Sequence, residues 1–174
     1  GPRRMGKTSF LLQLQNLLQG RGNYIPVFFD AQEPIARQSD ASFFYSMARA
    51  IYVQMRRQTR GKRIRRPDLA QYEVYPYTTI STWIEDDIVP LLDQQVLLIT
   101  IDEFEKIGGS LMAGELTVKV LDYLRHMMQH SEHLLFLFCG GESLEALGPN
   151  AASYFISAQA IEISYLSAEA AEAI

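Results

Sequence analysis

The first eight residues, Gly1-Pro2-Arg3-Arg4-Met5-Gly6-Lys7-Thr8, form the pattern G-x-x-x-x-G-K-[ST], with Ser9 following. A loop of this kind dictates both of its neighbours: it opens from the end of a buried strand and closes into the first turn of a helix. Its glycines let consecutive backbone N–H groups turn inward as a nest for the β-phosphate of a nucleotide. Lys7 is spaced to reach the β- and γ-phosphates, and the Thr8 hydroxyl to ligate Mg²⁺. The apolar run Phe10, Leu11, Leu12, Leu14, Leu17 and Leu18 predicts the helix, whose positive N-terminal end then faces the phosphates.

The strand that should precede Gly1 is not in the sequence, and the last eight residues, from Ser167 to Ile174, read as a helix with no stop signal. Residues 1–174 are therefore expected to be one P-loop NTPase domain truncated at both ends. The length and the apolar content suffice for a single sizeable core. The one cysteine, Cys139, lies in an apolar run, which excludes a disulfide framework and reads as a buried structural thiol in a reducing, cytoplasmic setting. No apolar stretch reaches the length of a membrane span.

Charge is polarised along the chain. Residues 1–66 hold 13 Lys and Arg against 3 acids, whereas residues 126–174 hold 6 acids and no Lys or Arg. The densest basic cluster is Arg56, Arg57, Arg60, Lys62, Arg63, Arg65 and Arg66. It lies in a Gly- and Pro-containing connection with little aromatic interleaving, so a solvated loop competes with a nucleic-acid surface.

Strands and helices alternate from here on. Ile25 to Asp30 is a short apolar run after a Gly-Arg-Gly-Asn turn, hence a buried strand. A helix is expected from about Ser42 to Met55, a second from about Thr79 to Leu92 and a third from about Glu115 to His130. Val96 to Ile101, Leu134 to Cys139 and Ile161 to Tyr165 read as further strands. The alternation implies a parallel sheet covered by helices: a three-layer α/β/α P-loop NTPase with a mainly parallel sheet, lacking its first, central strand in this chain.

A second motif closes one of those strands, Val96-Leu97-Leu98-Ile99-Thr100-Ile101-Asp102-Glu103. An apolar strand ending in an acid is what holds Mg²⁺ in P-loop proteins, so Asp102 is the metal-side acid. The adjacent Glu103 is placed to orient and polarise a water for in-line attack. Alone the strand end would say little; following a P-loop by about 95 residues, it specifies nucleoside triphosphate hydrolysis. Catalytic roles fall to Glu103 and Lys7, nucleotide binding to Gly1, Pro2, Arg3, Arg4, Met5, Gly6, Lys7, Thr8 and Ser9, and Mg²⁺ to Thr8 and Asp102.

These segments, GPRRMGKTS, YIPVFFDAQ, LLITIDEFEKI, LDYLRHMMQH and LLFLFCGGESLEAL, resemble the STAND-type signalling ATPases of the additional-strand P-loop class, in the prokaryotic branch with two arginines in the loop. The resemblance covers nearly the whole chain. It implies a sheet ordered 5-1-4-3-2, with the P-loop strand central and an extra strand between it and the strand that ends in Asp102. It implies ATP or GTP as ligand, slow hydrolysis used as a switch, homo-oligomerisation on activation, and helical or winged-helix, repeat or effector domains further along.

The chain departs from that pattern after its fourth strand, where Gly140 and Gly141 stand before Glu142 and Ser143 instead of a Thr or His. Ser143 is a candidate γ-phosphate sensor, with a helix N-cap as its plainer role. Arg3 and Arg4 could meet phosphate charge or an acid nearby, and Arg125 reads as an exposed helix residue. The function expected is an ATP-binding, ATP-hydrolysing switch domain of a multidomain signalling ATPase. The alternative is a DNA-directed ATPase, a loader or transposition partner, using segment 56–66 on nucleic acid.

Overall fold

The computed structural model describes residues 7–19, 22–59, 62–141, 154, 155, 158, 159 and 161. Three strands, β1 (Tyr24–Asp30), β2 (Val96–Asp102) and β3 (Leu134–Phe138), form one sheet in the order β1-β2-β3, all parallel. Tyr24 stands opposite Val96 and Asp30 opposite Asp102; Leu97 stands opposite Leu134 and Ile101 opposite Phe138. The α/β class expected from the alternation is thus the class found. β3 lies across β2 from β1, the side where the resemblance puts the additional strand. The fourth expected strand, 161–165, falls almost wholly outside the described residues.

Successive strand residues point to opposite faces, and both faces of β2 are largely covered. Ile25, Val27 and Phe29 share one face with Leu97, Ile99, Ile101 and Leu134, all nearly inaccessible to water. Helix α2 (Asp40–Gln58) buries Phe43, Phe44, Met47, Ile51 and Met55, and Phe43 meets Phe29 edge-on at 5.3 Å. Each such side chain contributes roughly 1.5–3 kcal/mol by leaving water. Helix α1 (Lys7–Gln19) also packs on β1 and buries Leu11.

Helix α2 starts at Asp40, ahead of the expected Ser42, because Ser39 caps it. The Ser42 N–H donates to Ser39 Oγ at 3.1 Å and the Ser39 N–H to Ser42 Oγ at 2.9 Å, a reciprocal capping box with serine in both roles. Asp40 in the first turn and Arg56 and Arg57 in the last complement the helix dipole.

Two expectations need correction. An unexpected short helix, α3 (Leu69–Val74), comes first, and the helix expected over 79–92 is α4 (Pro76–Trp83) continued by a π turn (Ile84–Ile88) and a 3-10 turn (Val89–Leu91). Pro90 has no N–H to return to the preceding turn and its ring crowds that turn's carbonyl, so the helix widens before it and then tightens. The helix expected from Glu115 begins later, as α6 (Lys119–His130), and an unexpected helix, α5 (Glu105–Met112), precedes it. Gly114, in the left-handed region at φ 74°, separates the two.

Candidate nucleotide site

The site is built where α1 begins and β2 ends. Lys7 and Thr8 open α1, and Asp102 is the last residue of β2, only 3% exposed. The Thr8 hydroxyl donates to Asp102 Oδ2 at 2.9 Å, joining residues 94 apart in sequence. The Glu103 N–H donates to the other oxygen, Oδ1, at 3.0 Å. A carboxylate this deeply buried needs such donors to satisfy its oxygens. Of the residues assigned to the phosphate loop, Lys7, Thr8 and Ser9 are described. Gly1, Pro2, Arg3, Arg4, Met5 and Gly6 lie outside the described residues, as does Ser143.

Beyond Asp102 the chain turns sharply. Glu103 has φ 52°, a left-handed conformation that costs a non-glycine residue roughly 1–3 kcal/mol and collects at functional sites. Its carboxyl is pushed above the usual carboxylate range, first by burial, then by the neighbouring charges of Glu105 and Asp102. A carboxylate with raised proton affinity is a better base toward water.

The turn is pinned to the end of β3. The Cys139 N–H donates to the Ile101 carbonyl at 2.8 Å, and the Phe104 N–H to the Cys139 carbonyl at 2.9 Å. The Phe104 ring lies 4.6 Å from that of Phe138 and 5.2 Å from that of Phe155. Cys139 is buried, as its apolar surroundings suggest, but it also borders the site. Burial, with Asp102 beside it, pushes the thiol up to about 11 against an opposing pull from Lys7. It stays protonated at neutral pH, which excludes a thiolate nucleophile.

Glu105 is a member of this cluster that the two motifs do not name. Its Oε1 accepts the Gly141 N–H at 3.0 Å, while its Oε2 is buried with no hydrogen-bond donor among the described residues. The signal was the third acid in Asp102-Glu103-Phe104-Glu105, one position beyond a turn whose shape the sequence does not reveal.

Thr8 and Asp102 suit Mg²⁺, which binds through one or two protein oxygens plus substrate phosphates and keeps several waters. Among the described residues no group of three or more His, Cys, Asp and Glu is arranged to hold a metal by itself. A polar groove at the other end of the sheet, lined by Gly22, Asn23, Tyr24, Asp93, Gln94 and Gln95, contains none of these groups.

The basic connection is better anchored than a solvated loop. Ile64 is buried, the Trp83 indole donates to the Arg65 carbonyl at 2.8 Å, and the Arg65 guanidinium pairs with Asp87 at 2.7 Å. Arg125 is half-buried on α6, where the sequence suggested an exposed position.

No family model and no characterised protein matches the chain. Among solved structures, the chain is similar to the ORC2 protein of Aeropyrum pernix. For the ADP form the TM-score is 0.47 at 14% identity, covering 90% of this chain and 36% of that one. For the ADPNP–ADP complexes it is 0.46 at 12% identity, covering 91% and 36%. At this level the likeness carries no argument about ligand or activity. Among the described residues no helix is long and apolar enough to cross a membrane.

Proposed function

We propose that this chain is an ATP-binding and ATP-hydrolysing domain that serves as the nucleotide switch of a multidomain signalling ATPase in the cytoplasm. The observation that carries the reading is the hydrogen bond between Thr8 and Asp102. Two motifs that separately read as the metal-side hydroxyl and the metal-side acid of a phosphate site meet at one point. In the proposed site the backbone of residues 1–6 cradles the β-phosphate and Lys7 neutralises β- and γ-phosphate charge. Thr8 and Asp102 hold Mg²⁺, which when bound neutralises charge on the phosphate oxygens. Glu103 holds and polarises the attacking water, taking its proton as the bond to the γ-phosphorus forms and the bond from that phosphorus to the bridging oxygen breaks, ADP leaving. Ser143 is assigned the sensor position after β3.

Calorimetric titration with Mg-ATP tests the reading. Lys7→Ala should weaken binding tenfold or more, about 1.4 kcal/mol upward. Equal affinity of parent and variant would remove the phosphate-loop assignment.

The second reading, an ATPase directed by DNA, draws on one observation. Arg57, Lys62, Arg63 and Arg66 are exposed on a firmly anchored segment and form no ion pair among the described residues. It calls for association with duplex DNA that weakens steeply with salt, the slope tracking the phosphates neutralised. Salt-independent or absent association would discard it.

A further inference from the structure

Glu105 ties together two turns that the strands alone would leave side by side. One turn carries Glu103 away from β2; the other, Gly140-Gly141, carries the chain away from β3 toward Ser143. The Glu105 carboxylate accepts the Gly141 N–H at 3.0 Å. A Cβ built on Gly140 would fall 2.6 Å from Glu105 Oε2, inside any permitted contact, so the carboxylate occupies the space that the glycine leaves open. Two residues back along the same turn stands Glu103, and between them the Phe104 N–H donates to the Cys139 carbonyl at 2.9 Å.

The consequence is mechanical. Gly141 holds Glu105 and Cys139 holds Phe104, which fixes the turn immediately after Glu103. The Glu103 backbone is already in a left-handed conformation, which narrows where its carboxylate can go. An acid at the first position of α5 would also serve the helix dipole. That role requires neither the Gly141 contact nor the glycine at 140.

We propose that Glu105 is a positioning residue: its carboxylate clamps the Gly140-Gly141 turn to the turn after β2 and thereby aims Glu103 at the γ-phosphate. This role rests on the nucleotide reading above. It makes the geometry of the base depend on the Gly140-Gly141 turn, so a displacement of that turn is felt at Glu103.

A double-mutant cycle on the full chain tests it, using Glu105→Ala, Gly140→Ala and the double variant. The methyl group added by Gly140→Ala would displace the carboxylate, and Glu105→Ala would delete it, so both act on one contact. Each single change should lower kcat about tenfold to a hundredfold, the scale of a misplaced reacting group, with Mg-ATP affinity within about twofold. The double variant should be no slower than the slower single. Glu105→Gln retains an acceptor for Gly141 and should recover most of kcat. Amide hydrogen exchange at Gly141 should be slow in the parent and in Glu105→Gln and fast in Glu105→Ala, whether or not nucleotide is turned over. If the single losses multiply in the double variant, if Glu105→Gln is as slow as Glu105→Ala, or if Gly141 exchange is the same in all variants, the clamp is wrong. A parent that binds no Mg-ATP overturns the nucleotide reading and this role with it, while Gly141 exchange still reports on the contact alone.

Discussion

Asp40 and Asp102 are both acids at the end of a secondary-structure element, and their surroundings differ completely. Asp40 opens α2 and is surrounded by donors. The Tyr77 hydroxyl reaches Oδ2 at 2.6 Å, the Thr117 hydroxyl the same oxygen at 2.5 Å, and the Thr117 N–H reaches Oδ1 at 2.8 Å. The Tyr77 hydroxyl is pushed up to about 12, by burial first and then by its bond to Asp40, so it remains a donor. Tyr123 extends the network, donating to the Tyr77 carbonyl at 2.8 Å and contacting the Ser81 hydroxyl. Three elements are held at one point, with every charge answered.

At Asp102 the balance is reversed. Asp102 itself has two donors, but Glu103 and Glu105 crowd behind it, one backbone is left-handed, and one buried carboxylate oxygen has no donor among the described residues. A protein that gave up stability in this way only for packing would gain from replacing those acids. On the proposed function, the contrast separates an acid that holds a fold from acids set against one another for chemistry, and it makes opposite forecasts for mutation.

The largest effect expected is on turnover. Glu103→Gln preserves size and hydrogen bonding while removing the base, so steady-state phosphate release should fall about 10²–10⁴-fold, with Mg-ATP still bound. Hydrolysis at the parent rate would move the base elsewhere. Next is stability at the other acid. Asp40→Ala strands Tyr77 and Thr117 and should lower the unfolding free energy by about 1–3 kcal/mol, read by urea denaturation, with Mg-ATP affinity unchanged. A neutral result would reduce the Asp40 network to surface decoration.

The smallest effect carries the sign of the comparison. The proton affinity of Glu103 is raised in the folded state, so the fold holds that proton more tightly than the unfolded chain does. The associated stability is full below the ordinary glutamate pKa and is lost as pH rises through the raised value. Glu103→Gln removes that loss, so at neutral pH the variant should melt at or above the parent, and the two curves should converge in acid. A variant that melts lower at neutral pH would mean that Glu103 stabilises the fold, as Asp40 does.

The two motifs and the three described strands were legible because each is local: a loop pattern, short apolar runs between turn residues, a strand ending in acid. What was not legible depends on tertiary contact or on backbone detail. Nothing in Thr8 or Asp102 alone states that they touch. Helix α5 was hidden by Gly108 and Gly109, which disfavour helix by about 1 kcal/mol each, and the π turn by the distant effect of Pro90. Asp40 lies ahead of the helix expected from Ser42 and its partners lie 37 and 77 residues away, so nothing local marks it. Glu105 needs the left-handed turn at Glu103 before its direction makes sense. Cys139 gave the right burial but no neighbourhood, since an apolar run does not say which loop it ends beside.

The most direct measurement is a calorimetric titration of ATP into the parent and Asp102→Asn, each with Mg²⁺ and with chelator. Asn keeps one oxygen to accept the Glu103 N–H, and its amide can donate to the Thr8 hydroxyl in turn, so the variant should melt close to the parent. The account predicts that Mg²⁺ tightens ATP binding to the parent at least about tenfold, about 1.4 kcal/mol, and that Asp102→Asn loses this advantage. An undiminished Mg²⁺ advantage in Asp102→Asn, or a parent that binds no ATP under either condition, would contradict the assignment of Thr8 and Asp102 to a nucleotide site.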